Sequence, residues 1–435
     1  MDGFSIFTIA RGTIGITSLL LISYLLSNER KKIQWKTVII SILIQFIVAV
    51  SVIKIQVILS FFEIISKFFV RIISYSTSGS SFLFSSLVNQ EKSTYIFAFQ
   101  VLPIIIFFSA LTSMLYHLGV IQKIVSFLAW LLKRFLKITG AESLSLAGNI
   151  FLGQTESPIL IKSYLEKMTK PQLFVVMVGG MSTVAGSVLA AYIGLLGGND
   201  VNEQLKFSTH LLTASVMAAP GAVAISKIIF PDSGKYAKNS IEIEKEKING
   251  NILLSITRGT IEGVKLAVNV GAMLLVFLAI IALLNDVMWL IGDLFNLNVL
   301  ISELTNFDNF SIEFILGYLF APLMWLIGVT YHECALMGQL LGVKIVSSEF
   351  VAFIQLADLK NINSDVSLLS KKSITMATFM LCGFANFASI GIQIGGIGVL
   401  APGQRKNLSE LGFKAMIAGT IVSLVSACFA GILIN

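Results

Sequence analysis

Charged residues are scarce in this chain, making up 13% of 435 residues against 55% hydrophobic ones. A mean hydropathy of +0.86 exceeds what a water-soluble core could enclose, so lipid must be the solvent for much of the surface. The alternation of apolar and polar residues that a membrane β-barrel needs is also missing. Apolar runs of about 20 residues match the hydrocarbon thickness crossed by a helix. The composition therefore predicts an all-α integral membrane protein.

Cysteine and histidine are rare too, with three of each. The cysteines are far apart and each lies in or beside an apolar run, which excludes a disulfide framework and a metal knuckle: Cys334, Cys382 and Cys428. The pair His332-Glu333 begins like a metalloprotease helix, but position 336 is Leu where the second His would stand. No Gly-x-Ser-x-Gly nucleophile elbow is present. We therefore do not expect an enzyme, and no cofactor is predicted.

Eight apolar runs are long enough to cross the bilayer as helices. They are Phe4–Leu26, Thr37–Ile55, Ile96–Leu118, Leu173–Leu196, Thr209–Ile229, Val264–Trp289, Ile374–Ile397 and Ala415–Ile434. The first run lacks the basic start and small-residue cleavage site of a signal peptide, so it is predicted to remain as a helix. The short amino terminus favours a bacterial plasma (inner) membrane.

A net charge of +7 comes from Lys and Arg in short loops and forms no basic face, which argues against nucleic-acid binding. Such loops face the cytoplasm under the positive-inside rule. The rule assigns residues 30–36, the stretch 123–137 and the polar segment Pro231–Gly250 to the inside. Alternation of eight spans then places both the amino and the carboxyl terminus outside.

Two stretches of the chain share one order of elements. Ile121–Leu136 and Ser311–Val329 read as amphipathic helices at the membrane interface. Each precedes a broken, moderately apolar segment, Ile138–Met168 or Thr330–Lys360, that predicts a re-entrant hairpin. An interrupted span and a final span follow. We predict an inverted-repeat transport core and four regions: a three-helix scaffold segment (1–118), the first repeat (119–230), a loop with a scaffold helix and outer connection (231–310), and the second repeat (311–435).

Glu156 and Glu349 stand near the middle of the two predicted hairpins. A carboxylate in an apolar membrane segment costs about 2.5–3.5 kcal/mol on insertion scales, so such residues usually mark a functional site. A structural ion pair is the alternative for both. Inverted repeats with discontinuous helices place polar sites near the bilayer midplane. The sequence therefore predicts one central site for a small polar solute.

Four motifs, spread over essentially the whole chain, resemble those of the concentrative nucleoside transporters and occur in the same order. They are Gly153-Gln154-Thr155-Glu156-Ser157-Pro158, the run from Ala185 to Tyr192, Glu349-Phe350-Val351-Ala352-Phe353, and the run from Cys382 to Gly396. The length and eight spans are similar to the bacterial members of the family.

The resemblance implies a homotrimer whose protomers each import a nucleoside together with a cation, by alternating access. By position in the motifs it implies a nucleobase subsite of Gln154, Thr155 and Glu156, and a ribose subsite of Glu349, Asn386 and Ser389. It adds apolar contacts from Phe384 and Val188 and a sodium site at Asn149, Leu152, Thr183 and Val184.

The sequence departs from the family pattern at Ser348, where Asn is common, at Ala388, where Ser is frequent, and over Thr330-Tyr331-His332-Glu333. These departures bear on substrate range. Proton coupling in place of sodium, another small polar cargo such as an amino acid, and a passive channel remain open alternatives.

Overall fold

The computed structural model describes residues 6–88, 96–198, 200–232, 251–360 and 368–434, and every regular element in these ranges is helical. The first half contains α1 Ile6–Leu25, α2 Trp35–Lys54, α3 Gln56–Phe84, α4 Phe97–Gln100, α5 Leu102–His117, α6 Val120–Leu136, α7 Gly140–Asn149, α8 Lys162–Leu165, α9 Lys170–Ser182, α10 Gly186–Gly197 and α11 Val201–Ile229. The second half contains α12 Ile252–Leu294, α13 Leu297–Leu304, α14 Ile312–Leu326, α15 Cys334–Val346, α16 Glu349–Lys360, α17 Lys371–Leu381, α18 Phe387–Leu400 and α19 Arg405–Leu433.

Seven helical segments in the described part of the chain are long and apolar enough to cross a membrane, and they match seven of the eight predicted spans. The eighth predicted span, Ile374–Ile397, consists of the two shorter helices α17 and α18. Residues 56–84, which belong to none of the predicted spans, form the 29-residue helix α3. Glu63, Lys67 and Arg71 interrupt its apolar run, which is why hydropathy alone does not reveal it. Most of the predicted loop Pro231–Gly250 lies outside the described residues.

Burial divides the helices into a central and a peripheral group. The apolar window of Lys170–Gly197 is 100% buried, and those of α11 and the α19 segment are each 94% buried. The window of α12, by contrast, is 11% buried, although this helix has 43 residues and is about 65 Å long at 1.5 Å per residue. The central helices carry the repeats, and α12 presents its side chains to the surroundings.

The predicted repeat is visible in the order of elements. A first helix, two helical arms separated by a break, a broken helix and a long helix occur as α6, α7 with α8, α9 with α10, and α11. They occur again as α14, α15 with α16, α17 with α18, and α19. Of the two predicted amphipathic helices, α6 is amphipathic, whereas α14 is apolar apart from Glu313 in its first turn, so the prediction is wrong for α14. We call residues 140–165 hairpin 1 and residues 334–360 hairpin 2. A hydrogen-bonding side chain begins the first arm of hairpin 1, where Thr139 and Glu142 form a capping box at α7.

Each hairpin ends on a contact with the opposite repeat. At the end of hairpin 1, the Gln404 side chain donates hydrogen bonds to the carbonyls of Leu165 (3.2 Å), Glu166 (3.0 Å) and Met168 (3.0 Å). Gln404 lies in the turn between α18 and α19. At the end of hairpin 2, Lys360 contacts the last turn of α10 and the first turn of α11. The polar bonds therefore tie each hairpin base to the other repeat.

A buried ion cluster fastens the start of hairpin 1 to the core. Lys227 Nζ on α11 lies 2.7 Å from Glu142 Oε1 and 2.5 Å from Asp232 Oδ2. The other oxygen of Glu142 accepts hydrogen bonds from Thr139. Because all three charged groups are buried and paired, the desolvation cost of each charge is offset by its partners.

Candidate functional site

The two helix breaks meet in the interior of the described structure. The break in the first repeat covers Thr183 to Ala185, and that in the second covers Cys382 to Asn386. The Phe384 amide donates to the Thr183 carbonyl at 3.4 Å, which joins the breaks directly. Gly383 permits this approach, since a Cβ there would lie 3.1 Å from the Ser182 carbonyl oxygen. Unwound backbone from both repeats therefore converges at one place.

Glu349 is the first residue of the second arm of hairpin 2, and its buried carboxylate is held from two sides. The Tyr192 hydroxyl on α10 donates to Oε1 at 3.1 Å. The Asn386 amide nitrogen donates to Oε2 at 2.6 Å. Asn386 is oriented in turn by its own oxygen, which accepts the Ser389 backbone N–H at 2.8 Å as an N-cap of α18. One carboxylate thus connects hairpin 2 with both broken helices.

Gln154, in the turn of hairpin 1, extends the same network. Its amide nitrogen donates to the Ser389 hydroxyl at 3.3 Å, and its amide oxygen accepts from Gln393 at 3.1 Å. Gln393 also donates to the Met177 carbonyl at 3.0 Å. Gly180 makes room for this contact, because a Cβ there would lie 2.7 Å from Gln393 Nε2 and 2.9 Å from Gln154 Cβ. A chain of polar contacts therefore runs from hairpin 1 to hairpin 2.

The structure brings four of the eight predicted substrate residues into this network: Gln154, Glu349, Asn386 and Ser389. Thr155 packs against Gly396, since a Cβ added to Gly396 would lie 2.7 Å from the Thr155 methyl carbon. Val188 is buried and Phe384 is half-buried next to the breaks. Glu156 makes none of these contacts and faces a neighbouring cavity.

Two members of the network were not predicted as site residues. Tyr192 closes the resembling motif on α10, and Gln393 is the one amide side chain of α18, a helix that is apolar apart from Ser389. Both are fully buried, and a polar side chain inside an apolar span is the signal that could have identified them. Lys344 was missed as well; it is fully buried in hairpin 2, where its ammonium group donates to the Met380 carbonyl at 2.8 Å.

Asn149 is the last residue of the first arm of hairpin 1, and its side chain is suited to binding a cation. Its side chain is buried, and neither its oxygen nor its nitrogen has a hydrogen-bond partner among the described residues. Thr183, also buried, donates its hydroxyl to the Gly179 carbonyl at 2.9 Å, which leaves the hydroxyl lone pairs available. Asn149 approaches the same glycine, since a Cβ on Gly179 would lie 3.3 Å from Asn149 Nδ2. An unsatisfied amide beside an unwound turn offers the oxygen ligands that a hard cation prefers.

The other two predicted sodium residues, Leu152 and Val184, are apolar and buried, so only their backbone carbonyls could serve as ligands. The amide of Leu152 donates to the Gly148 carbonyl at 2.8 Å. Both residues lie in the two segments, the hairpin 1 turn and the first helix break, that carry Asn149 and Thr183.

A cavity of about 500 Å³ lies next to the network, between hairpin 1 and two peripheral helices, α5 and α12. Glu156 faces this cavity, and its Oε2 accepts a hydrogen bond from the Gly153 amide at 3.3 Å. The residues that share its lining come from both sides: Ser109, Thr112, Ser113 and Tyr116 on α5, Phe151, Leu152 and Ile159 in hairpin 1, Ala185, Gly186 and Ser187 at the first break, and Arg258 and Glu262 on α12. Its size suits a small organic solute.

Broken membrane helices that surround a hydrogen-bonding network, beside a cavity of ligand size, define a membrane transporter of the secondary type. Comparison with known families agrees with this class. Residues 210–431 match the family described as Na+ dependent nucleoside transporter C-terminus, residues 14–87 match its N-terminus, and residues 98–199 match a domain described as nucleoside recognition. The chain therefore belongs to the sodium-dependent nucleoside transporter family.

Individual relatives support the assignment over nearly the full chain. An uncharacterized transporter of Haemophilus influenzae is 37% identical over 424 residues, with 97% of each chain covered. Sodium/nucleoside cotransporter 2 of Rattus norvegicus is 36% identical over 431 residues, which cover 96% of this chain and 62% of the rat protein. These relatives are transporters and not enzymes, which confirms that part of the sequence analysis.

Solved structures give the same result. The structure of CNTnw in an inward-facing substrate-bound state superposes with a TM-score of 0.88 at 35% identity, covering 98% of this chain and 99% of CNTnw. A CNTnw variant in an outward-facing state gives a TM-score of 0.89 at 34% identity, with coverage of 98% and 99%. The predicted all-α transporter fold is confirmed, and relatives of this fold are known in both inward- and outward-facing states.

Proposed function

We propose that the protein is a secondary active symporter that imports nucleosides with sodium by alternating access. The observation that carries the proposal is the polar network from Gln154 through Ser389 and Asn386 to Glu349. A nucleoside is neutral and presents amide-like base edges at one end and vicinal hydroxyls at the other. Amides donate and accept at once, and a carboxylate accepts two hydroxyl protons. The network has the groups that both ends of such a solute require.

In this proposal Gln154, Thr155 and Glu156 contact the base, and Glu349, Asn386 and Ser389 contact the ribose. Phe384 and Val188 supply apolar surface. The internal hydrogen bonds of the network, such as Asn386 to Glu349 at 2.6 Å, keep these groups satisfied until the solute replaces them. Leaving a buried polar group unpaired costs about 1–3 kcal/mol, so an analogue without ribose hydroxyls should bind more weakly.

Sodium is assigned to Asn149 and Thr183, with the backbone carbonyls of Leu152 and Val184. The supporting observation is the unpartnered, buried side chain of Asn149. Because Asn149 precedes the turn that holds Gln154, a bound cation would order that turn for the base and couple the two ligands.

We further propose a homotrimer in a bacterial plasma membrane, with both termini outside and the four regions given above. Support comes from the similarity of the chain to transporters of Haemophilus influenzae and Bacillus subtilis and from the positions of its positive loops.

Sodium-driven uptake of labelled uridine into proteoliposomes tests the function. Uridine should accumulate above its external concentration with a sodium gradient and not with choline, over the whole pH series from 5.5 to 8. Unlabelled nucleosides should compete and amino acids should not. Equal uptake in choline buffer that responds to pH would establish proton coupling instead, and uptake without accumulation would establish a channel.

A further inference from the structure

The helices α5 and α12 pack closely beside the 500 Å³ cavity. Gly259 and Gly263 on α12 are four residues apart, a spacing that lets two membrane helices approach. A Cβ on Gly259 would lie 2.5 Å from Ser113 Cβ, and one on Gly263 would lie 2.8 Å from Ile106 Cα. The Ser113 hydroxyl also donates to the Ser255 carbonyl at 2.8 Å. These contacts fix the rotation of α12 about its axis.

Fixed rotation determines where two charged side chains of α12 point. Arg258 and Glu262 each precede one of the packed glycines and, being four residues apart, lie on one face of the helix. Both line the cavity opposite Glu156 of hairpin 1. Among the residues that the structure describes, the charged groups of the lining are two carboxylates and one guanidinium, with a net formal charge of −1. Neither α12 residue has a role in the function proposed above.

We propose that Glu262 and Arg258 set the charge selectivity of the solute path: the cavity admits neutral and cationic nucleosides and rejects nucleosides that carry an anionic group. This inference rests on the proposed nucleoside transport. Apolar protein and lipid around a cleft focus the field of the charges that line it, so one excess charge acts on every solute that enters. An anionic solute in the cavity is repelled by Glu156 and Glu262 together, whereas Arg258 moderates that repulsion.

The assignment makes opposite predictions for the two residues. The full-length protein is reconstituted in proteoliposomes, and the initial rate of sodium-driven uridine uptake is measured with two unlabelled competitors of opposite charge, uridine 5′-monophosphate and 5′-amino-5′-deoxyuridine. For each competitor, the quantity compared is the ratio of its half-inhibitory concentration to that of unlabelled uridine. Glu262→Gln should lower this ratio about fivefold for the monophosphate and raise it for the amino analogue. Arg258→Gln should shift both ratios the other way. Raising the ionic strength should shrink both shifts.

Asp286→Asn is the matched control. It removes one negative charge from the same helix, 24 residues further on and about 36 Å along the axis, and should leave both ratios unchanged.

Unchanged ratios in Glu262→Gln and Arg258→Gln, or shifts in the same direction, would overturn the assignment while uridine transport stands. Absence of uridine uptake by the unmodified protein would instead overturn the proposed function, and the charge assignment with it. If one of the two variants fails to fold, the other still tests the assignment, because the direction in which it should shift the ratios is predicted separately.

Discussion

Lys360, the last residue of hairpin 2, holds Glu203 of the opposite repeat at an Nζ–Oε2 distance of 2.7 Å. The same ammonium group donates to the Leu196 carbonyl at 2.9 Å. Gln404 makes the equivalent connection for hairpin 1 through three backbone carbonyls. The two hairpins therefore have anchored bases, while Gln154 lies in the turn of hairpin 1 and Glu349 begins the second arm of hairpin 2. We infer that hairpins and broken helices move together as one unit.

The first prediction concerns this anchor. Lys360→Met should lower the free energy of unfolding by about 1–2 kcal/mol, because it removes a charged hydrogen bond to a carbonyl and a partly buried ion pair. The melting temperature in detergent would report the loss. Lys170→Met is the matched control, since it breaks the more exposed pair with Glu410, whose side chains are 48% and 45% accessible. An equal drop in both variants would show that Lys360 is an ordinary surface charge.

The second prediction concerns the ribose subsite. Glu349→Gln keeps the size of the side chain but removes the negatively charged carboxylate that accepts hydrogen bonds from Tyr192 and Asn386. Uridine uptake at low concentration should fall about tenfold or more, and the preference for uridine over 2′,3′-dideoxyuridine should shrink, because hydrogen bonds to charged groups contribute about 1.5–3 kcal/mol. Tyr192→Phe removes one neutral donor and should have a smaller effect. Full activity of Glu349→Gln at low uridine would refute the ribose assignment.

The third prediction concerns the cation. Asn149→Ala should raise the sodium concentration for half-maximal uptake about tenfold, because it removes the side-chain oxygen at the proposed site. Reciprocity requires that uridine raise the apparent sodium affinity of the unmodified protein by the same factor by which sodium raises uridine affinity. Equilibrium binding of each ligand, titrated in the presence of the other, measures both factors.

Ser208→Ala is the control for that experiment. The Ser208 hydroxyl, on α11, is also buried without a partner among the described residues, but it belongs to neither broken helix. It should leave the sodium dependence unchanged. A sodium response in Asn149→Ala identical to that of the unmodified protein would place the cation elsewhere.

The fourth prediction is a pH dependence at Glu333, which precedes hairpin 2 and lies outside the spanning helices. Burial alone would raise the pKa of its carboxyl, but hydrogen bonds from Thr330, Ser373 and Ser370 outweigh burial and lower the pKa below the usual 4.5. The Ser373 hydroxyl donates at 2.7 Å. A lowered pKa stabilises the folded state above the unfolded-state value, and this contribution is lost as the pH falls through the folded-state pKa.

The stability difference between the unmodified protein and Glu333→Gln should therefore stay constant from pH 7 to about 5 and shrink on further acidification. Melting curves of both proteins across this range provide the measurement. A difference that grows below pH 5 would mean that the carboxyl is stabilised in its protonated form.

The positions of the helices and their interruptions could be read from the sequence because both are local properties. An apolar run of bilayer length predicts a span, and clusters of Gly and polar residues, as at Thr183 and at Gly383, predict where a helix unwinds. Helix α3 could not be predicted in this way because one of its faces is charged, and hydropathy does not separate an amphipathic helix from a loop.

The resembling motifs, in turn, brought Gln154, Glu349, Asn386 and Ser389 together as candidates. Tyr192 and Gln393 could not be identified as site residues in this way. Their roles follow from neighbours 157 and 239 positions away, Glu349 and Gln154.

The amino-acid sequence by itself determined the class of this protein, its order of helices and breaks, and the two hairpin carboxylates, because length, hydropathy and backbone interruption are encoded residue by residue. Only the tertiary structure decided which polar groups meet, that Glu349 joins the network while Glu156 faces the cavity, and that Lys360 and Gln404 anchor the opposite repeats. These facts depend on how distant helices pack and rotate against one another, and no local pattern specifies that rotation.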